Sequence, residues 1–549
     1  MRGGAAISAG AVAALLLLIG LPVGAILLQA AFPGLTRGDF SAPFSGVAAA
    51  LGEPRMLALI GNTLALGVCV SLGCLLVSAP LGLIRGLCRV PGARAWDVLF
   101  LIPFMIPPYI AALAWIMTLQ PRGYLHQVAG FDLGGFLFSF PGIVFVMVLN
   151  LYPLTYFAVS RTVEAAGGRL ADAARVFGAT PARALWRITL PLATPGILAS
   201  LLLVFAMAIE EFGTPATLAA RTGFHVLVTG IYTRFSDWPI DLPGAAVLSV
   251  VLILLAGGAY VVQLLILARR SFVSVSGKPV EAAKAPLGPW TWPVLAAFGG
   301  VTFLGVVVPV AAVLATALTR TISGGLAWDN VSLMHFQAVF GNAAGALTAL
   351  GNSLTLAVGA ALLTGLIGAF VAYVLNRTEL PGRRVLDVLS LLPNAIPGIV
   401  VAVGLILAWN QAFWPVAVYN TPWMLLIAYC ALLLPYPIRY AAAAFQQIGR
   451  SLDDAARVSG AGVLSLLWRI LLPLLLPALG VAMLLVFAIA TRELVASIMV
   501  APAGFSTVST FVFAQFEQGS AGVGMAMSVI AIFASTAILV ALSAATRRV

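Results

Sequence analysis

Apolar residues run along this chain in long unbroken stretches, with neither the alternation of a half-buried strand nor the single stripe of a surface helix. Stretches able to cross about 30 Å of hydrocarbon lie near residues 8–30, 57–81, 98–119, 140–160, 192–212 and 244–268. They recur near 292–318, 350–375, 387–409, 422–443, 474–496 and 522–545. The pattern predicts an all-α integral membrane protein with twelve transmembrane helices. The first stretch follows Arg2 and ends near Gln29-Ala30-Ala31, as a secretory leader would. Its length, and its place as first of six, predict that it is retained. Pro103, Pro107 and Pro108 interrupt the third stretch, Pro153 the fourth, Pro393 and Pro397 the ninth, and Pro435 and Pro437 the tenth. Each is expected to kink its helix.

The polar positions between the stretches repeat. Asp172–Pro191 (DAARVFGATPARALWRITLP) and Asp454–Pro473 (DAARVSGAGVLSLLWRILLP) match at 13 of 20 positions at an offset of 282. Gly61-Asn62-Thr63-Leu64 answers Gly351-Asn352-Ser353-Leu354, and Pro103…Pro107 answers Pro393…Pro397, both at 290. Each half therefore reads as one six-span domain, residues 1–268 and 291–549, with parallel rather than inverted copies. The polar segment 269–290, rich in Ser, Gly and Pro, reads as a linker.

Within the repeated loop, the carboxylates of Asp172 and Asp454 favour the positive end of a short helix. Ala173, Ala174, Ala455 and Ala456 leave room for another backbone. Gly178 and Gly460 suit the left-handed residue that ends such a helix. Thr180-Pro181 then starts a second short helix, which Pro191 is expected to break before the next apolar run. Arg175, Arg187, Arg457 and Arg469 add positive charge.

At 62% hydrophobic and 9% charged, with mean hydropathy +1.08, the 549-residue chain is excluded from the soluble globules, which average about a quarter charged residues. The net charge of +11 points away from nucleic acid once its positions are read. With the N-terminus inside, 22 of the 29 Lys and Arg fall on cytoplasmic segments, as the positive-inside rule requires. Both termini and both repeated loops then face the cytoplasm, and the lipid bilayer is the surrounding medium.

Candidate chemistry is sparse. The phosphate-cradling pattern GxxxxGK[ST] is missing, since Gly277-Lys278 leads into Pro279. Cys69, Cys74, Cys88 and Cys430 lie mostly in apolar runs and read as small hydrophobes. His126, His225 and His335 read as ordinary surface histidines on outer loops. Ionisable groups near the ends of spans carry a functional presumption. Glu210, Glu211, Arg492 and Glu493 either rim the outer mouth of a pathway or mark where a helix leaves lipid. Asn62, Asn352, Asn394, Arg439, Tyr152 and Tyr436 are further pathway candidates, with helix packing as the alternative. The longer outer connections, carrying Phe224, Tyr232, Phe235 and Trp238, suit a membrane interface or a landing surface for a soluble protein.

The paired loop resembles the EAA loop of ATP-binding-cassette (ABC) importer permeases, and the whole chain resembles a fused type I permease with two domains in one polypeptide. Both copies begin with Asp where that family usually has Glu. The resemblance implies several partners and a location. Two copies of one separate ATPase, which bind the ATP and Mg, would dock at about 170–191 and 452–473. A periplasmic binding protein would deliver substrate, and the chain would sit in a bacterial inner membrane. It implies no cofactor, metal or catalysis in this chain. Glu210-Glu211-Phe212-Gly213-Thr214-Pro215, followed by Ile231-Tyr232, is most similar to the ferric-iron branch; thiamine, polyamine and phosphonate permeases are the neighbouring alternatives. An ion-coupled secondary carrier fits the composition and has no use for two matching loops.

Overall fold

The computed structural model describes residues 2–167, 169–219, 222–268 and 284–546. Most of the linker, Arg269 to Glu281 and on to 283, lies outside the described residues, as do Arg547 and Arg548 and the side chain of Asp172. Among the described residues the chain is almost wholly helical, and the one paired ladder joins Cys88–Arg89 to Ala285–Pro286.

Among the described residues nine helices are long and apolar enough to cross a membrane, and three bent pairs, each taken as one span, raise the number to twelve. The pairs fall where proline was expected to kink the chain: 93° between Ala93–Met105 and Pro108–Ala129, 116° between Arg383–Asn394 and Gly398–Trp409, and 43° within the tenth span. Pro153 instead stays inside the continuous helix Phe140–Gly167. A helix break in lipid leaves carbonyls without partners unless a neighbour supplies a donor. Pro107 has no N–H for the carbonyl of Pro103, four residues back. Buried Asn150 supplies it from the fourth span, donating from Nδ2 to Pro103 O at 2.7 Å and to Ile106 O at 3.2 Å.

Pro191 does not break its helix. The helix Pro181–Glu210 runs straight through it, by way of a π turn at Leu185–Thr189 in which Leu190 N–H donates to Leu185 O, five residues back. The same device precedes Pro22, Pro309 and Pro473, at Leu16–Gly20, Phe303–Val307 and Leu467–Leu471. Each π turn ends two residues before its proline. Proline would clash with the carbonyl four residues back in a regular helix. One extra residue in the turn moves that carbonyl and keeps the helix intact.

By compactness the chain divides into two units, residues 53–230 with 254–331, and residues 1–52 with 231–253 and 332–549. The sequence repeat and the compact unit are thus different partitions, because the first span of each half packs in the unit built on the other half's core. In the unit built on the first half, the helix Pro54–Leu87 lies along Phe140–Gly167 and Leu190–Glu210. Small residues permit that approach: a Cβ at Gly82 would lie 3.1 Å from Tyr156 O, and one at Gly86 3.0 Å from Ser160 O. Ser78 Oγ donates across the same interface to Tyr152 O at 2.8 Å, the small-residue packing typical of membrane helices. Val308–Leu318 packs here on Pro108–Leu119. Earlier on the same span, Phe298 stacks on Phe100 at 5.2 Å and meets Trp96 and Tyr156 edge-on.

In the unit built on the second half, Ala346–Arg377 packs on Pro422–Leu433, Pro435–Gln447 and Leu472–Ala490. Leu21–Ala31 lies on Gly398–Trp409, where a Cβ at Gly404 would be 2.7 Å from Pro22 O. The core beside that helix is mainly aliphatic, with Leu15, Ala372, Leu434 and Ile438 buried alongside Tyr373 and Phe445.

Asn150→Leu keeps the size of the side chain and strands two buried carbonyls. Its expected cost is about 1–3 kcal/mol, read as a lower unfolding temperature in detergent; an unchanged temperature would contradict the assigned role.

Candidate functional site

The two polar loops adopt one backbone. In the first, the helix Arg169–Val176 ends at Gly178, whose φ is +88°. Gly178 N donates to Arg175 O at 3.0 Å and Ala179 N to Ala174 O at 2.9 Å. In the second, Arg450–Val458 ends at Gly460 with φ +80°, and the bonds Gly460 N to Arg457 O (3.0 Å) and Ala461 N to Ala456 O (2.9 Å) repeat the arrangement. A Cβ on either glycine would meet nothing within 4 Å. Glycine is therefore required by backbone geometry rather than by space. The second short helix begins at Pro181 in one copy, where Thr180 accepts from Arg183 N, and at Val463 in the other, where Gly462 offers no side-chain cap. Arg187 and Arg469 both fall inside the π turns that follow, and both are exposed.

Exposure places the rest. Ala173 and Ala455 face outward, Ala174 is half-buried and Ala456 is turned into the chain's own core. Asp454, Arg175 and Arg457 are exposed. Beside them stand apolar side chains: Val176 and Val458, equivalent positions, are 84% and 90% exposed, and Trp186 and Trp468 follow the same pairing. Apolar groups set among charges on an exposed loop mark an interaction surface.

The mounts of the two loops differ. Asp453, one residue ahead of the repeated acid, is buried and pairs with buried Arg377 at 3.3 Å. Arg377 also donates to Ile448 O at 2.6 Å and lies 5.5 Å over the Phe445 ring. The first loop has Ala171 in place of Asp453 and Leu87 in place of Arg377. Sequence comparison overlooked this pair because it exists in one copy only; the doubled acid Asp453-Asp454 was its sole trace.

The pathway candidates occupy several kinds of position. Glu211 accepts from Thr214 N (3.0 Å) and Glu493 from Ala496 N (3.0 Å). Each caps the short helix that follows it, Gly213–Leu218 or Val495–Val500. Glu210 and Arg492, half-buried, hold the positions just before the caps. Asn62 Nδ2 donates to His225 O at 2.8 Å while Thr63 Oγ1 accepts from Leu227 N at 2.8 Å. Asn352 does the same to Ser506 O at 2.9 Å, and Ser353 accepts from Val508 N at 2.8 Å. The repeated Gly-Asn-[Thr/Ser]-Leu is thus a tether holding the start of each outer helix, Leu227–Ser236 and Val508–Gln518. Arg439 pairs with Asp387 at 3.2 Å. Asn394 is exposed at the break of the ninth span, and Tyr436 is half-buried in the tenth. Tyr152 is fully buried against Phe100. One expectation is corrected: His335 is buried rather than on the surface, packed over Gly522, where a Cβ would collide with its ring. Among the described residues no three His, Cys, Asp or Glu converge as a metal site.

A family described as "Binding-protein-dependent transport system inner membrane component" matches residues 78–272 and again 364–549. The chain is similar to the "Ferric transport system permease protein FbpB" of Actinobacillus pleuropneumoniae, 27% identical over 89% of this chain and 71% of that protein. It is 24% identical to the "Fe(3+)-transport system permease protein FbpB 2" of Haemophilus influenzae over 91% of each. The "Putative 2-aminoethylphosphonate transport system permease protein PhnV" of Salmonella typhimurium is 27% identical over 44% of this chain and 89% of its own length. One half of this chain therefore corresponds to nearly all of that protein.

Glu211→Ala and Glu493→Ala each remove one helix cap. Each is expected to cost about 0.5–2 kcal/mol in thermal unfolding, with the double variant additive; no change in stability would return both carboxylates to the list of free pathway groups.

Proposed function

The chain belongs to the binding-protein-dependent transport system inner membrane component family, and from that premise we propose that it is the fused permease of an ABC importer for ferric iron. The observation that carries the reading is the pair of equivalent loops, each closed by a left-handed glycine and each presenting an exposed valine and tryptophan. Two equivalent handles suit two copies of one ATPase. When that dimer closes on ATP it draws both loops together, and the first short helix of each loop, packed on the second short helix that leads into the π turn, carries the movement into the bundle. The kinked third and ninth spans give the bundle joints about which to open alternately to either side. ATP is hydrolysed by the separate chain, and a periplasmic protein brings the cargo.

Ferric iron is favoured over the phosphonate reading by layout. Two relatives named for ferric transport match the fused chain over most of its length, while the phosphonate relative matches one half. Iron is here cargo, passing through in the form the binding protein releases. In this reading both termini and both handles are cytoplasmic.

Two measurements test this reading. Gly178→Pro with Gly460→Pro imposes a φ near −65° where +88° and +80° are needed. The variant is expected to insert normally and to lose uptake while ATP hydrolysis continues without it; normal uptake would overturn the docking assignment. In proteoliposomes containing the chain and its ATPase, ATP-dependent uptake is expected with a ferric-loaded binding protein. Uptake of 2-aminoethylphosphonate without iron would replace the cargo.

A further inference from the structure

The first handle carries Ala171 and Leu87 where the second has the Asp453–Arg377 pair, and the described end of the linker lies beside it. Lys284 Nζ sits 2.9 Å from Glu164 Oε1 and donates to Arg85 O at 3.2 Å. Ala285–Pro286 then pairs in parallel with Cys88–Arg89, at the end of the second span. Glu164 lies in the last turn of Phe140–Gly167, five residues before the handle helix Arg169–Val176, which packs back against that same helix. Arg85 in turn holds Asp97 through two nitrogens, Nη2 at 2.7 Å and Nε at 3.2 Å, and Tyr156 donates to Asp97 at 2.9 Å. One connected set of polar contacts therefore joins the linker, the end of the second span, the Ala93–Met105 helix and the root of the handle.

We propose that Lys284 is a positioning residue: through Glu164 and Arg85 it fixes the root of the first handle, supplying the mount that Arg377 and Asp453 supply to the second. The linker is then a working part of the first permease half rather than a passive tether. This rests on the docking reading above. The two mounts also differ in kind. The Arg377–Asp453 pair is buried, so losing either partner leaves a stranded charge. Lys284 and Glu164 are partly exposed, so their contact is weaker and screened by salt.

The test is the ratio of substrate taken up to ATP hydrolysed in the assembled transporter, with ATPase copurification recorded for every variant. Lys284→Met and Glu164→Gln are each expected to lower the ratio by about two- to fivefold, the scale of a partly exposed ion pair, without releasing the ATPase. The double variant is expected to match Lys284→Met, and the exchange Lys284→Glu with Glu164→Lys to recover only the Glu164 part of the loss, because a carboxylate at 284 cannot donate to Arg85 O. Cleavage at a protease site placed between Ser274 and Gly277 is expected to leave the ratio unchanged, because the Lys284 contacts lie beyond the cut. Single variants at the unmodified ratio, or losses that add in the double variant, would overturn this proposal while copurification kept the docking reading intact. A cut that by itself reproduced the loss would also overturn it, by making chain continuity the mount. Failure of the unmodified chain to hold any ATPase would overturn the docking reading and this proposal together.

Discussion

In hydrocarbon a backbone carbonyl or amide has no water to bond, so every departure from regular helix needs a partner built into the protein. That constraint accounts for several of the polar residues inside this otherwise apolar chain. Asn150 answers the carbonyls freed at Pro107. Four π turns carry helices past prolines that would otherwise interrupt them. Glu211 and Glu493 close the exposed amides of short helices, and Asn62 and Asn352 secure loop carbonyls. Broken helices give the bundle its joints, and at the third-span joint a specific donor, Asn150, has been placed.

The two halves share backbone devices more closely than side-chain contacts. The left-handed glycines, the helix caps and the loop tethers recur in both. The acid of the third span recurs in the ninth as Asp97 and Asp387, yet Arg85 of the second span holds the one and Arg439 of the tenth holds the other. Stacked aromatics around Phe298 are replaced by Leu15, Leu434 and Ile438 in the second unit. Fusion of two permease domains into one chain leaves each free to settle its own packing, while the backbone geometry of the two loops is held fixed.

Much of this was legible in the residues. Among the described residues the twelve apolar stretches became nine continuous spans and three bent pairs, because span length and hydropathy are local properties. Gly178 and Gly460 announced their left-handed turns because few other residues adopt them readily. Pro191 misled, since a proline in the chain does not say whether the helix will stop or widen by one residue. The exchange of first spans between units was invisible, because Gly404 against Pro22 O is a contact between distant segments with no periodic trace. Asn62 and Asn352 were seen to repeat, but their partners lie more than 150 residues away. His335 looked superficial by its loop position and is buried because Gly522 makes room for it.

The central claim is that one motor grips two equivalent handles. A photo-activated crosslinking residue placed at Val176 and, separately, at Val458 in the assembled transporter tests it directly. Both positions should yield a covalent adduct with the ATPase, in comparable amounts and at the same surface of that subunit. Adducts from neither position, or from one alone, would contradict the account.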